Sequence, residues 1–344
     1  MMTCPLPPLD FDTINIGHGS GGILTDQLLN AGVFKLLGNE YLNKKHDGAT
    51  LALDGRTAMS TDTYVVTPIF FDGGCIGDLA INGTVNDLAM CGADAAFLTL
   101  ALVLEEGLKM KELWEVLLAI KAACETSGVK IVSGDTKVVE RGKGDKIFIN
   151  TSGLGKVHPR ANIDILNIKE GDKIILSGPL ARHGIAIMSC RQGLQFETAV
   201  KSDTRPLNRI VRRLLDEFGE KIHFLRDPTR GGLATALNEI ASDAKLGIDI
   251  LQKNIPTEEE VCCACEMLGL DPLYIANEGL FIAVVESAAA TAFLDSLKTW
   301  EHGAAAAIIG EITAAHPKQV IMKSTIGGHR AVNRLAGEQL PRIC

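Results

Sequence analysis

Short apolar runs alternate along the chain with stretches in which apolar residues recur every three or four positions, the rhythm of strands interleaved with surface helices. Residues 109–127 show it best. Leu113, Val116, Leu117, Ile120 and Cys124 fall on one face and Gly128 follows, which predicts an amphipathic helix stopped by a glycine. A helical pattern also runs over 23–37, and apolar runs predict strands over 98–104, 130–133 and 147–151. The Asp54-Gly55 pair between 51–53 and 58–66 predicts a hairpin, because a two-residue turn demands the positive φ that this pair accepts. Beyond Pro159 the rhythm resumes, with helices over 206–218, 233–245 and 257–268 and strands over 173–176, 248–251, 280–285 and 305–309. The polar break at 157–162 marks a domain boundary. The expected fold class is α/β, of the α+β type with mixed sheets. It comprises an extension 1–16, a domain 17–156, a second domain 163–325 and a mobile tail 326–344.

A length of 344 residues suits two domains. With 34 basic against 42 acidic side chains the net charge is −8, and no basic run interrupts it, so neither nucleic acid nor an anionic membrane is an expected partner. The first twelve residues lack a signal-peptide pattern, and no apolar stretch approaches the roughly 18 residues of a membrane span. Nine irregularly spaced cysteines are unlike a secreted disulfide framework. The expectation is a soluble, cytoplasmic protein.

Gly17-His18-Gly19-Ser20-Gly21-Gly22 precedes the first helical pattern, where backbone N–H groups are placed to cradle a phosphate. The same residues also fit a plain hinge, since only a short stretch at 12–16 precedes them and a dinucleotide fingerprint wants a clear strand there. Aspartates beside small residues recur at Asp47, Asp62, Asp87 (after Asn86) and Asp135 (before Thr136 and Lys137). Singly, each reads as a turn or a cap. Four in one domain, with a glycine loop and a lysine, suit Mg²⁺ held between carboxylates and nucleotide phosphates. Arg226-Asp227-Pro228-Thr229-Arg230-Gly231-Gly232 opens a helix, either as a second anion site or as an ordinary helix entry.

Cys262 and Cys265 form C-x-x-C, but no second pair completes a zinc site. Thr257 and Glu260 make a capping-box pattern and Val261, Cys265 and Leu268 share an apolar face, so this cluster reads as helix core. Cys75, Cys91, Cys124 and Cys190 read the same way, and Cys4 has no assigned role. Cys344 ends the chain, where a thiol can swing between sites. The terminal carboxylate raises its pKa and Arg342 lowers it, which leaves its reactivity open at this level.

The combination resembles the HypE family of hydrogenase-maturation proteins, within the superfamily of aminoimidazole ribonucleotide synthetase and selenophosphate synthetase. The marks are Gly17 to Gly22, Val85-Asn86-Asp87-Leu88-Ala89, Ser133-Gly134-Asp135-Thr136-Lys137, Asp227 to Gly232, Ala276-Asn277-Glu278-Gly279 and the terminal Pro341-Arg342-Ile343-Cys344. The resemblance implies an ATP-binding amino-terminal domain, a second α/β domain and a homodimer whose amino-terminal domains share a β-barrel. It implies that HypF loads Cys344 as an S-carboxamide, that ATP with Mg²⁺ dehydrates it to a thiocyanate, and that the cyanide ligand passes to iron on HypC and HypD.

By the same resemblance Asp47, Asp62, Asp87 and Asp135 would hold metal and nucleotide, with Asn86 and Thr136 beside them. Gly17, His18, Gly19, Ser20, Gly21 and Gly22 would close over the phosphates. Lys137 would stabilise the transferring group, Glu278 would take the amide protons, and Arg230 would offset anionic charge. Two rivals are a small-molecule synthetase of the superfamily and a carrier that merely tethers a group at Cys344. The extension before Asp12 and the cysteines at 262, 263 and 265 depart from the family pattern.

Overall fold

A computed structural model describes residues 11–46, 48–193, 200–334 and 342–344. The amino-terminal unit begins with the glycine loop and α1 (Ile23–Ala31) and α2 (Val33–Leu37). The one helix expected over 23–37 is two, because the backbone leaves helical geometry at Gly32 (φ −101°, ψ −85°). Next come β1 (Thr57–Tyr64), a small ribbon of β2 (Phe70–Phe71) and β3 (Gly74–Cys75), α3 (Ile76–Met90), β4 (Ala93–Glu105), α4 (Met110–Ser127), β5 (Lys130–Val139) and β6 (Ile147–Val157).

The sheet runs β1-β6-β4-β5, with β6 antiparallel to both neighbours and β4 parallel to β5. The parallel pair follows from α4, which carries the chain back across the sheet. The hairpin expected around Asp54-Gly55 does not form. Residues 51–53 are not a strand, and all eight residues of β1 pair with β6 instead, a longer ladder than a three-residue arm offers. As expected, α4 ends at Gly128 in the left-handed conformation (φ +81°).

The second unit contains β7 (Lys173–Leu176), α5 (Arg182–Gln192), α6 (Asn208–Phe218), β8 (Ile222–Arg226), α7 (Gly232–Ala244), β9 (Gly247–Leu251), α8 (Glu259–Leu268), β10 (Ile282–Val285), α9 (Ala290–Lys298), β11 (Ala307–Thr313), β12 (Val320–Lys323) and β13 (His329–Ala331). Their sheet order is β13-β12-β9-β11-β7-β10-β8, antiparallel except between β12 and β9. Alternation along β7 divides the core: Ile174 and Leu176 join Ile185, Leu237 and Val261 on one face, while Ile175 joins Leu214 and Phe293 on the other. Covered on both sides, β10 is buried throughout.

Cys265 and Val261 lie in the core as expected, but α8 has no side-chain cap, so Thr257 and Glu260 do not form a capping box. Within the span 326–344, residues 329–331 form β13 of the sheet, and the last three residues are seated on the amino-terminal unit, with Ile343 only 4% exposed in that unit's core. Among the described residues no helix is long and apolar enough to cross a membrane.

Candidate functional site

A cavity of about 820 Å³ opens between the units, lined among others by Ser60, Asp87, Arg226, Asp227 and Arg230. Asp87 lies on α3 and accepts a 2.6 Å bond from Ser60 Oγ on β1. Two residues further along β1, Asp62 sits on the same face, 3.7 Å from Arg230. The loop after β8 supplies Asp227 and Arg230. Gly231 and Gly232 both have positive φ and no room for a Cβ, which would meet Thr235 Oγ1 at 2.1 Å or backbone oxygens at 2.6 Å. Small residues there let the loop fold tightly into α7.

Glu278 is buried behind this cavity. Asp203 fixes its backbone, accepting 3.1 and 3.0 Å bonds from the N–H groups of Glu278 and Gly279. Asn277 fixes the preceding turn by accepting from Ala181 N and donating to Pro228 O and Ile275 O. Burial, followed by the charges of Asp227, Asp203, Asp62 and Asp87, raises the Glu278 pKa well above the usual carboxylate range. Burial and Asp87 push Asp227 up to about 7, and burial likewise raises Asp87 against the opposing bond from Ser60.

The chain terminus enters the same region. Cys344 O accepts from Val65 N at 3.2 Å and Arg342 O from Thr67 N at 3.3 Å, so the last three residues lie alongside 65–67, with Arg342 in the left-handed conformation (φ +55°). Burial and then Glu278 and Asp62 push the Cys344 thiol up to about 12, while Arg230 opposes them. The structure thus brings together Asp62, Asp87, Arg230, Glu278 and Cys344.

The other expected residues lie elsewhere. A second cavity, of about 190 Å³, opens between α1, α2 and the β5 edge, with Leu100, Leu102 and Ile131 as apolar lining and Gly19, Gly21, Asp135, Thr136 and Lys137 among the rest of its wall. A Cβ on Gly19 would meet Val138 N at 2.5 Å, so the loop presses backbone against β5. Gly22 caps α1 without a side chain, leaving N–H groups at the helix start for an anion. Ser20 Oγ donates to Gly17 O, and buried His18 packs edge-on against Phe11 while its Nδ1 accepts from Asn15 N, so both side chains shape the loop.

Register separates Asp135 and Lys137 from Asp62. Asp62 pairs with Thr151, which pairs with Leu100 and on to Gly134, whereas Asp135 pairs with Ala101 and lies on the opposite face. Lys137 donates to Asp135 at 3.0 Å on that face. Asn86 joins the two units, donating to Arg205 O and Glu278 O and accepting from Leu207 N. Asp47 lies outside the described residues.

The family models for AIR synthase related protein match this chain in both halves, the N-terminal domain at residues 45–157 and the C-terminal domain at 169–323. The carbamoyl dehydratase HypE of Bradyrhizobium diazoefficiens is 45% identical over 332 residues, covering 96% of each protein. The chain belongs to the HypE family. A crystal structure of HypE in complex with ATP superposes with a TM-score of 0.92 at 46% identity, covering 96% of this chain and 99% of that one. HypE from a HypE–HypF complex superposes with a TM-score of 0.79 at 43% identity, covering 91% and 100%.

Among the described residues of this HypE-family chain, no three His, Cys, Asp or Glu side chains gather into a metal cage. The donors present are hard carboxylate oxygens, and burial first, then the charge of neighbouring carboxylates, raises Asp87 and Asp227. That set fits Mg²⁺, which keeps waters and phosphate oxygens in its shell and asks few ligands of the protein. Sequence reading passed over Asp203, His183 and Arg191, which lie in no recognisable pattern and matter only through what they touch. It also placed Cys91 in the core, where the structure exposes it at the mouth of the larger cavity.

Proposed function

We propose that this chain uses ATP to dehydrate an S-carboxamide on its own Cys344, leaving a thiocyanate whose cyano group becomes a ligand of the iron in NiFe-hydrogenase. The observation that carries the reading is the seat of the terminal thiol: half-buried against the first unit's core and tied to Val65 through its backbone, with Glu278, Asp62 and Asp227 close enough to shift it and Arg230 opposing them.

Removing water from a primary amide requires the oxygen to depart, and oxide does not depart. Transfer of the γ-phosphoryl group to the carboxamide oxygen breaks its bond to ADP and converts that oxygen into part of a phosphate. Loss of phosphate and of both amide protons leaves S–C≡N, so the products are thiocyanate, ADP and phosphate. Glu278, made more basic by burial among carboxylates, takes the amide protons in turn, giving the first up to solvent before it accepts the second. Arg230 offsets negative charge as phosphate leaves. Asp62 and Asp87, with Asp135 and Asp47, would hold Mg²⁺, which supplies charge neutralisation on the transferring group. The loop from Gly17 to Gly22 binds phosphate through its N–H groups, and Lys137 steadies the transferring oxygens.

Within one chain Asp135 and Lys137 lie on the opposite sheet face from Asp62, and the glycine loop lies at the far β5 edge. The reading includes the homodimer that the family resemblance implies, in which a second copy covers the open sheet face in a shared barrel. HypF delivers the carboxamide, in keeping with the HypE–HypF complex among the related structures, and HypC with HypD accepts the cyanide.

The test is mass spectrometry of the carboxy-terminal peptide. Protein loaded at Cys344 and given Mg-ATP should lose the mass of one water from that peptide and release ADP and phosphate. An unchanged peptide would leave only a carrier, and turnover surviving Cys344→Ala would point to a small-molecule synthetase.

A further inference from the structure

Every carbonyl of the terminal tripeptide has a donor. Arg342 O receives Thr67 N and, at 2.8 Å, Arg191 Nη2; Ile343 O receives His183 Nε2 at 2.9 Å; Cys344 O receives Val65 N. Arg191 is itself anchored, donating from Nε and Nη2 to Thr67 O at 3.0 and 2.6 Å. His183 is fully buried in α5, stacked edge-on against Phe71 with ring centres 5.6 Å apart. Since Nε2 must donate to a carbonyl, Nδ1 accepts from Ser202 Oγ at 2.8 Å, which sets the tautomer. Ser202 also accepts from Thr204 N, and the adjacent Asp203 holds the Glu278 backbone. One short segment therefore supports both the tail and the Glu278 loop.

We infer that His183 and Arg191 are positioning residues that clamp the backbone of the terminal tripeptide and set its register, so that Cys344 is aimed into the cleft. Val65 and Thr67 belong to the first unit and the two clamp residues to the second, so the tail is gripped from both sides. Slippage by one residue would draw the thiol out of its seat and put Arg342 where buried Ile343 now packs. Arg342 resists that exchange through its ion pair with Asp145, its bond to Val65 O at 3.0 Å and its seat 5.7 Å over the Phe148 ring. The catalytic consequence of the clamp rests on the dehydratase reading, but the clamp itself is testable without it.

The experiment uses full-length His183→Leu and Arg191→Met, with His183→Gln as the variant that keeps a side-chain N–H donor. In unloaded protein at one pH, iodoacetamide should label Cys344 about tenfold faster in the Leu and Met variants than in the parent, the loss expected for one bond to a buried carbonyl. Exposed Cys263 in the same digest serves as the internal reference. His183→Gln should restore much of the protection. In loaded protein, single-turnover water loss should slow by a similar factor while the ATP concentration giving half-maximal rate stays unchanged.

Unchanged labelling of Cys344 in variants that melt like the parent would overturn the clamp. Faster labelling without slower water loss would overturn its positioning role. If the parent itself loses no water, the dehydratase reading fails while the labelling still decides the clamp. Arg191, only partly buried, keeps the test open should His183→Leu not fold.

Discussion

A half-buried thiol beside carboxylates is held in its protonated form, because the loss of water around it and the negative field both penalise the thiolate. An S-carboxamide carries no charge and escapes that penalty, so the cleft suits the loaded cysteine better than the free one. Free Cys344 should therefore be alkylated at a rate that keeps rising above pH 9, where an ordinary thiol with pKa about 8.5 has levelled off. A profile that levels off near pH 9 would show the thiol outside this environment. Glu278 is raised by the same two causes, and its side chain lies behind the cavity while Asp203 and Asn277 hold the turn that presents it. Glu278→Gln preserves shape and removes the base. It should bind ATP normally in a calorimetric titration and yield no loss of water, and continued dehydration would take Glu278 out of the base role. The motif around Glu278 was visible in the sequence. Its support was not, because Asp203 reaches it from a stretch with no periodicity.

At the scale of elements, legibility follows amphipathicity. Helix α4 was readable because one face meets the core and the other meets water, and β7 because four residues between polar turns leave little choice. Helix α3 was not readable. Thirteen of its fifteen residues are buried, packed among the sheet, α4 and α6, so no polar face imposes a period. That burial makes α3 the beam between the units, carrying Asn86 to the Glu278 loop and Asp87 to the cleft. Leu79→Ala, at a fully buried position, should lower unfolding stability by about 2–5 kcal/mol in denaturant titration. A loss under 1 kcal/mol would contradict this packing. The failed hairpin at Asp54-Gly55 makes the complementary point: turn chemistry proposes a local pairing, and a longer distant ladder displaces it.

Across the whole molecule, the amino-terminal sheet covers one face with helices and leaves the other open. Met59 is 69% exposed on that face, among Thr57, Thr61 and Thr63 of β1. A shared barrel would cover it, so Met59→Glu should shift the protein toward monomer in sedimentation velocity. A dimer of unchanged strength would remove this face as the interface. The sequence by itself determined the α/β rhythm, the amphipathic helices and the short motifs that mark the family, because these are relations among residues close along the chain. Tertiary structure alone decided which motifs share a site. Asp62 and Asp135 have similar neighbours in sequence, yet the ladder through β6 and β4 puts them on opposite faces. The seat of Cys344 depends on Val65, Thr67, His183 and Arg191, which lie 150 residues or more away along the chain and meet it only once both units have folded.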